Sequence, residues 1–212
     1  MTAGKFITLE GGEGAGKSTQ AALLGEELRQ RGISAVLTRE PGGTANAERI
    51  RALLLGKQGE DWNARAEALL FAAARSDHVE KLIDPALQAG KWVICDRFLD
   101  SSRAYQGGGG GISDKELLSL HRIGCSARMP DLTLLIEVDP DEAVRRVKTR
   151  DDGDTDRIGG RGAEYHARVA HAFAQLAEQE PTRFARIDGN GSPQQTHALI
   201  IKALLRLEGA SN

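Results

Sequence analysis

Residues 11–18 read Gly-Gly-Glu-Gly-Ala-Gly-Lys-Ser and fit the pattern G-x-x-x-x-G-K-[ST]. This stretch lies between a short apolar run at residues 6–9 and a segment with helical periodicity at residues 17–31. Glycines let successive backbone N–H groups surround a phosphate at the positive end of the helix dipole. The motif therefore predicts a phosphate-binding loop for a nucleoside triphosphate, in which Lys17 contacts the outer phosphates and the Ser18 hydroxyl is a ligand for Mg²⁺.

Outside this loop, short apolar runs alternate with helical patterns along the chain. The runs lie at residues 6–9, 35–37, 92–95, 132–138 and 184–187, and the helical patterns at 17–31, 45–55, 64–89, 114–123, 141–150, 164–179 and 193–207. Continuous apolar runs are typical of strands buried on both faces of a parallel sheet. Together with the phosphate loop, they predict an α/β fold: a three-layer sandwich whose five-stranded parallel sheet is flanked by helices, in one domain over residues 1–212.

Two segments depart from this alternation. Residues 107–111 are five consecutive glycines, which predict a loop. Residues 150–162 hold four Asp, three Arg and four Gly with almost nothing to bury, which is the composition of a mobile surface segment. The second segment is either a plain solvated loop or a lid that closes over substrate.

Bulk composition excludes several classes of function. The 212 residues carry a formal net charge of -2 and no long block of like charges, which argues against a broad nucleic-acid surface. No stretch approaches about 18 uncharged apolar residues, and the N-terminal residues do not form a signal-peptide pattern. We therefore expect a cytoplasmic protein that neither spans a membrane nor binds nucleic acid. The spacing of Cys95 and Cys125 indicates neither a disulfide framework nor a structural metal site.

The residues after the run at 92–95 indicate what happens to the bound triphosphate. Asp96 is expected at the carboxyl end of a parallel strand, where ligands collect, and its carboxylate can reach Mg²⁺ beside the phosphate loop. Arg97 either forms a local ion pair with Asp96 or forks onto a phosphate. The chain has no Asn-Lys-x-Asp segment for reading guanine, and Arg97 stands where motor ATPases commonly carry an acidic residue. Both observations favour transfer to a small acceptor over hydrolysis.

At this level of detail the chain resembles the thymidylate kinase family, whose members transfer a phosphoryl group from ATP to dTMP. The matching segments follow one another over most of the chain: the phosphate loop with Glu13 inside it, then residues 38–44 (TREPGGT), 70–75, 96–98, 100–109 (DSSRAYQGGG), 130–133 and 156–158. The resemblance implies a nucleoside monophosphate kinase domain with a lid near residues 150–162. It also implies Mg²⁺ as cofactor, ATP and dTMP as substrates, and a homodimer.

The resemblance further implies a role for individual residues. Phe71 would stack on the thymine and Arg75 would bond its O4, while Tyr105 would lie near the sugar and Glu13 would accept from the 3′-hydroxyl. The implied acceptor site consists of Glu13, Glu40, Pro41, Arg51, Phe71, Arg75, Arg97, Ser101, Ser102, Tyr105 and Gln106, in which Arg51 and Arg97 hold the dTMP phosphate. The implied ATP site consists of Gly11, Gly12, Glu13, Gly14, Ala15, Gly16, Lys17, Ser18, Thr19 and Arg146, the last packing on the adenine. Ser18 and Asp96 are the implied metal ligands.

Family members differ in the source of the cation that stabilises the transition state. Some carry a basic residue inside the phosphate loop, whereas residues 12–15 here contain neither Arg nor Lys. An arginine that neutralises the transferring phosphoryl group is worth about 10³–10⁵ in rate. We therefore expect Arg150, Arg157 or Arg161 of the lid to join Lys17 and Arg97 as catalytic residues, with Arg157 the first candidate.

Two other functions remain open from sequence. One is a P-loop kinase of a different nucleoside monophosphate or of a deoxynucleoside. The other, from a different class, is a switch or motor that hydrolyses ATP to drive a partner. A switch or motor would hydrolyse ATP without an added acceptor, whereas ATP turnover by either kind of kinase would depend on one.

Overall fold

One parallel sheet forms the centre of the molecule. The computed structural model describes residues 4–56, 61–151 and 156–208, apart from the side chains of residues 150, 151 and 208. In these ranges the strands are β1 (Phe6–Glu10), β2 (Ala35–Arg39), β3 (Trp92–Asp96), β4 (Leu132–Glu137) and β5 (Phe184–Asp188). They pair in the order β2-β3-β1-β4-β5, and every pairing is parallel. The predicted five-stranded parallel sheet is confirmed.

Helices flank this sheet on both faces. They are α1 (Lys17–Gln30), α2 (Ala45–Leu55), α3 (Ala64–His78), α4 (Asp84–Gln88), α5 (Leu99–Ser102), α6 (Asp114–Cys125), α7 (Pro140–Asp151), α8 (Ala163–Gln179) and α9 (Pro193–Glu208). A π-helical segment, Val79–Ile83, joins α3 to α4, and a second one, Arg103–Gly109, continues α5. None of the helices in the described ranges is both long enough and apolar enough to cross a membrane.

The alternation of side chains along each strand divides the core into two layers. Ile7 and Leu9 of β1 pack with Leu24 of α1 and Ile200 of α9. Their neighbour Phe6 belongs to a separate cluster that includes the π-helical segment after α3. Because successive side chains of a strand point to opposite faces, the next residue on the Phe6 side is Thr8 and the one after it is Glu10. The central strand thus buries a carboxylate on the face that carries α3 and α5.

The loop predicted for the glycine run is wrong for its first three residues, whereas Gly110 and Gly111 lie outside any helix, as predicted. Gly107, Gly108 and Gly109 are the last residues of a π-helical segment and do not lie in a loop. A Cβ at Gly108 would lie 2.4 Å from the Cβ of Ala172 in α8. The glycines therefore let this backbone approach α8 more closely than any side chain would permit. A second difference is that the helix expected over residues 64–89 consists of α3, the π-helical segment and α4.

Candidate functional site

The phosphate loop connects β1 to α1 as the motif predicts. Gly14 has a φ of 73°, and a Cβ there would lie 2.5 Å from the carbonyl oxygen of Ala143, so the position requires glycine. Lys17, the first residue of α1, is buried, and its Nζ donates to the carbonyl oxygens of Gly11 (3.2 Å) and Gly12 (2.7 Å). Burial, followed by the positive charge of Arg97, lowers the pKa of Lys17 to about 8. The ammonium group of Lys17 is therefore held against the backbone of the loop.

The two predicted metal ligands are adjacent. Ser18 is in the first turn of α1 and Asp96 is the last residue of β3, and the hydroxyl of Ser18 donates to Oδ2 of Asp96 at 2.6 Å. A hydroxyl and a carboxylate are the hard oxygen donors that Mg²⁺ uses together with substrate phosphates and water. Among the described residues no cluster of three or more His, Cys, Asp or Glu side chains could hold a metal by itself. The pair fits an ion that arrives with a nucleotide.

Arg97 connects the phosphate loop to the acceptor side of the site. It has a φ of 69°, an uncommon conformation for a residue with a side chain. Its guanidinium donates to the carbonyl of Gly11 (3.0 Å), to Ser101 Oγ (3.2 Å) and to Glu13 Oε1 (2.6 Å). It also lies over the ring of Tyr105, with 5.0 Å between Cζ and the ring centroid. The strained backbone thus places the guanidinium of Arg97 between the phosphate loop and the residues of the predicted acceptor site.

Next to the loop lies a pocket of about 280 Å³. Every residue of the predicted acceptor site lines it, as do Lys17 and both predicted metal ligands: Glu13, Lys17, Ser18, Glu40, Pro41, Arg51, Phe71, Arg75, Asp96, Arg97, Ser101, Ser102, Tyr105 and Gln106. Five further residues line the pocket although the sequence analysis did not predict them there: Arg39, Leu55, Phe98, Asp156 and Ile158. Asp156 and Ile158 could have been found, because they flank Arg157 in one of the segments that carried the family resemblance.

Arg75 is a buried cation of the pocket, held by three hydrogen bonds. Its side chain is 4% exposed. Its Nε donates to Glu40 Oε2 at 2.7 Å, and its Nη2 donates to Ser102 Oγ at 2.8 Å and to the Phe98 carbonyl at 3.2 Å. Since Glu40 compensates its charge, the guanidinium can be buried at the end of the pocket without remaining unpaired.

Glu10 is a buried polar residue beneath the site that sequence reasoning missed. Its carboxylate accepts from the backbone N–H of Phe98 at 2.8 Å and from the hydroxyl of Ser101 at 2.6 Å. Burial, and then the nearby charge of Asp100, raise the pKa of Glu10 to about 7. An acidic residue that ends an apolar strand directly before the phosphate loop was the signal available in the sequence.

Two candidate lid arginines, Arg157 and Arg161, have described side chains, and both contact acidic residues outside the phosphate loop. Arg157 Nε lies 3.5 Å from Asp61 Oδ1, and its backbone N–H donates to the carbonyl of Leu55. Arg161 donates to Glu67 and to the hydroxyl of Tyr165. The side chain of Arg150 lies outside the described part of the chain, as do residues 152–155 of the predicted lid.

The remaining ATP-site candidates lie on two helices. Thr19 is exposed in the first turn of α1. Arg146 of α7 is half-buried, and its Nε donates to Glu142 Oε1 at 2.7 Å. Neither residue lines the pocket beside the phosphate loop.

Comparisons with known proteins agree with this geometry. The family model described as thymidylate kinase matches residues 9–200. The chain is 53% identical over 204 residues to a thymidylate kinase of Rhizorhabdus wittichii, covering 96% of this chain and 98% of that protein. It is 46% identical to a thymidylate kinase of Rhodopseudomonas palustris, covering 96% and 90%. The crystal structure of thymidylate kinase from Ehrlichia chaffeensis superposes with a TM-score of 0.78 at 36% identity, covering 95% and 99%.

Proposed function

The chain belongs to the thymidylate kinase family, and on that premise we propose how its site performs the reaction of the family. The enzyme phosphorylates dTMP to dTDP with ATP as donor. The proposal is that dTMP occupies the pocket lined by Arg75 and that the outer phosphates of ATP lie on the phosphate loop. The observation that carries it is the convergence of every acceptor-site candidate on one pocket that opens onto Lys17 and Ser18.

In this arrangement the base lies at the end of the pocket formed by α3 and the segment after α5. Phe71 and Arg75 are one helical turn apart on α3, and both line the pocket. Phe71 offers a ring for stacking, while Arg75, Ser102 and Gln106 offer hydrogen-bonding groups to the polar edge of thymine. Tyr105 and Glu13 face the sugar.

The dTMP phosphate lies between Arg51 and Arg97. Arg51 lines the same pocket, and its Nη1 donates to the Pro41 carbonyl at 2.7 Å. Burial, and then the like charge of Arg39, lower the pKa of Arg51, which a bound phosphate dianion would offset. An oxygen of this phosphate forms the new bond to the γ-phosphorus as the bond to the β,γ-bridging oxygen breaks, and ADP leaves. Because that oxygen is already anionic, the protein supplies positioning and charge and no general base.

The cofactor and the remaining donor-side residues are part of the same proposal. Ser18 and Asp96 would hold Mg²⁺, whose charge neutralises the phosphate oxygens when it is bound. Thr19 and Arg146 complete the ATP side. We keep Arg157, Arg150 and Arg161 as candidates for the cation that reaches the transferring group; both described guanidiniums would have to exchange an acidic partner for phosphate.

We propose that the whole chain is one nucleoside monophosphate kinase domain with a lid near residues 150–162. We also propose that two copies of it form a homodimer. Large apolar side chains are exposed on the outer face of α2, α3 and α6, namely Leu53, Leu69 and Ile123. These helices pack against one another, so the three side chains offer an apolar surface that a second subunit could cover. We also propose a cytoplasmic location, because Cys95 and Cys125 carry unpaired thiols, as is usual in reducing compartments.

The test is ADP formation from Mg-ATP with and without dTMP. We expect turnover to depend on dTMP, and kcat/KM for dTMP to fall by about 100-fold in Arg75→Ala, since truncating one partner of a buried ion pair costs about 2–5 kcal/mol. Arg29→Ala, on the exposed face of α1, is the matched control and should leave both values unchanged. Equal ATP consumption without dTMP would exclude the acceptor, and a faster reaction with dCMP, dUMP or thymidine would reassign it.

A further inference from the structure

The guanidinium of Arg75 offers one terminal nitrogen to the pocket. Nε is bonded to Glu40, and Nη2 is bonded to Ser102 and to the Phe98 carbonyl. Within the described part of the chain, Nη1 makes no hydrogen bond, while Arg75 lines the acceptor pocket. The orientation of Nη1, and with it the reading of the base, therefore depends on the groups that hold the other two nitrogens.

Glu40 supplies the stronger of these restraints. It is buried in the pocket wall, and its two carboxylate oxygens have different partners: Oε2 accepts from Arg75, and Oε1 lies 3.1 Å from Nδ1 of His78. Arg75 and His78 are three residues apart on α3 and so lie on the same face of that helix. One carboxylate thus bridges two side chains of the helix that carries the predicted base-reading residue.

The other ring nitrogen of His78 also has a partner, on the side of the ring away from Glu40. His78 is completely buried, and its Nε2 lies 2.7 Å from the hydroxyl oxygen of Thr38 in β2. Because a carboxylate only accepts, Nδ1 carries the proton, and in the neutral ring Nε2 accepts from Thr38. A Cβ at Gly43 would lie 2.5 Å from both His78 Nε2 and Thr38 Oγ1, so the backbone of Gly43 closes over this contact.

We propose that Thr38, His78 and Glu40 form a relay that positions Arg75, and that His78 is a positioning residue for acceptor recognition. The inference rests on the proposed function of the pocket and adds to it the residue that orients its base-reading arginine. His78 does not line the pocket, and it acts through Glu40, which does. Loss of the relay frees the guanidinium to rotate, which weakens selection of the acceptor and leaves the ATP side unchanged.

The first experiment compares His78→Ala with His78→Asn. The amide nitrogen of asparagine can occupy the place of Nδ1 and donate to Glu40, whereas alanine cannot. We expect His78→Ala to lower kcat/KM for dTMP by about tenfold, the effect of one hydrogen bond to a charged group, with an unchanged KM for ATP. The ratio of kcat/KM for dTMP to that for dCMP should fall by a similar factor, and His78→Asn should recover most of both values.

Two further comparisons distinguish a specific effect of His78 on the orientation of Arg75 from a general loss of protein stability. In an Arg75→Ala background, His78→Ala should cause no further loss of the dTMP-to-dCMP ratio, because its effect passes through Arg75. His121→Ala is the matched control: it is also a buried histidine, it packs edge-on against Phe98, and its Nε2 bonds the Arg128 carbonyl rather than Glu40. It should lower the melting temperature and retain the ratio.

Each outcome decides between the alternatives. An unchanged ratio in His78→Ala, an equal loss in His121→Ala, or an effect of full size in the Arg75→Ala background overturns the relay. If His78→Ala does not fold, His78→Asn and Glu40→Gln carry the test, with near-wild-type and reduced discrimination expected respectively. Failure of the proposed function appears separately, as a wild-type enzyme whose ATP turnover does not depend on dTMP.

Discussion

At the scale of single residues, Lys17 shows how burial sets the conditions for ligand binding. Its ammonium group lies within the phosphate loop, where burial and the charge of Arg97 lower its pKa to about 8. In the proposed site a bound triphosphate would favour the charged form of Lys17. Nucleotide affinity should then be linked to the protonation of this single group.

We therefore predict that Mg-ATP binding weakens as pH rises through about 8. The charged fraction of a group with this pKa falls about tenfold between pH 7 and pH 9, and the dissociation constant should rise by a similar factor. Calorimetric titration without dTMP at pH 7, 8 and 9 measures it. In Lys17→Arg, whose guanidinium stays charged, the affinity should vary little over this range. A wild-type dissociation constant that is flat to pH 9 would contradict the prediction.

Glu10 illustrates the same effect of burial on an acid, whose pKa it raises. The folded state raises its pKa from 4.5 to about 7 through burial and the charge of Asp100, against the lowering effects of Ser101, Arg97 and the Phe98 N–H. Between these two pH values the unfolded chain ionises while the folded protein retains the proton. Glu10 therefore lowers the stability of the folded state progressively as pH rises from about 4.5 to about 7.

It follows that Glu10→Gln should stabilise the protein relative to wild type, and more at pH 8 than at pH 5. The amide can still accept from the Phe98 N–H, and it carries no charge to bury. Melting temperatures at both pH values test this, and in a protein of this size 1 kcal/mol corresponds to about 2–4 °C. A difference between variant and wild type that is the same at pH 5 and pH 8 would be evidence against a raised pKa.

These two residues also show how far sequence reasoning extends. The identity of Lys17 follows from a motif whose spacing is fixed by phosphate geometry. The predicted acceptor residues come from the family resemblance, and all of them line one pocket. The position of Glu10 at the end of an apolar strand was visible in the sequence, but its contacts and those of Arg75, Glu40 and His78 could not be predicted, because they depend on which strand faces which helix across the fold. Side-chain alternation in β1 gives the face of Glu10 only once the neighbours of that strand are known.

At the scale of secondary-structure elements, the π-helical segment after α5 is the informative one. A run of five glycines has no intrinsic tendency to form a helix, and propensity alone predicts a loop. For residues 107–109 tertiary packing overrides this tendency, because Gly108 lies against Ala172 and the Arg168 carbonyl of α8. The same close approach brings Tyr165 of α8 within hydrogen-bonding distance of the Tyr105 carbonyl, at 2.9 Å. This element therefore links the pocket wall to the helix that follows the predicted lid.

Gly108→Ala should for this reason destabilise the protein by about 1–3 kcal/mol, the usual cost of an added methylene in a packed contact. Its Cβ would lie 2.4 Å from that of Ala172, so one of the two elements must move. Chemical denaturation measures the change in free energy of unfolding. Gly162→Ala is the matched control, since in the described part of the chain nothing beyond its sequence neighbours lies within 4 Å of a Cβ there, and it should change stability by less. Equal losses in the two variants would show that the contact with α8 is not responsible.

At the scale of the whole molecule, the sheet is covered by helices on both faces, but the outer surface of the helices is not uniform. Ser76 of α3 donates to the Gly124 carbonyl of α6 at 2.7 Å, which fixes the end of α6 against α3. These two adjacent helices carry exposed apolar side chains: Ile123 of α6 is 81% exposed and Leu69 of α3 is 56% exposed. Leu205 is similarly exposed, at 58%, but it lies on α9, in the helical layer on the other face of the sheet.

If the homodimer forms through α3 and α6, Ile123→Glu should convert it to a monomer at micromolar concentration, because the interface would then bury an unpaired charge. Sedimentation velocity measures the change. Leu205→Glu introduces the same charge at a similarly exposed leucine on the other layer and should leave the dimer intact. A dimer that persists in Ile123→Glu but dissociates in Leu205→Glu would move the interface to α9, whereas a wild-type monomer would exclude the dimer itself. Because α3 also carries Phe71 and Arg75, dissociation should raise KM for dTMP more than KM for ATP, which links the assembly to the acceptor pocket.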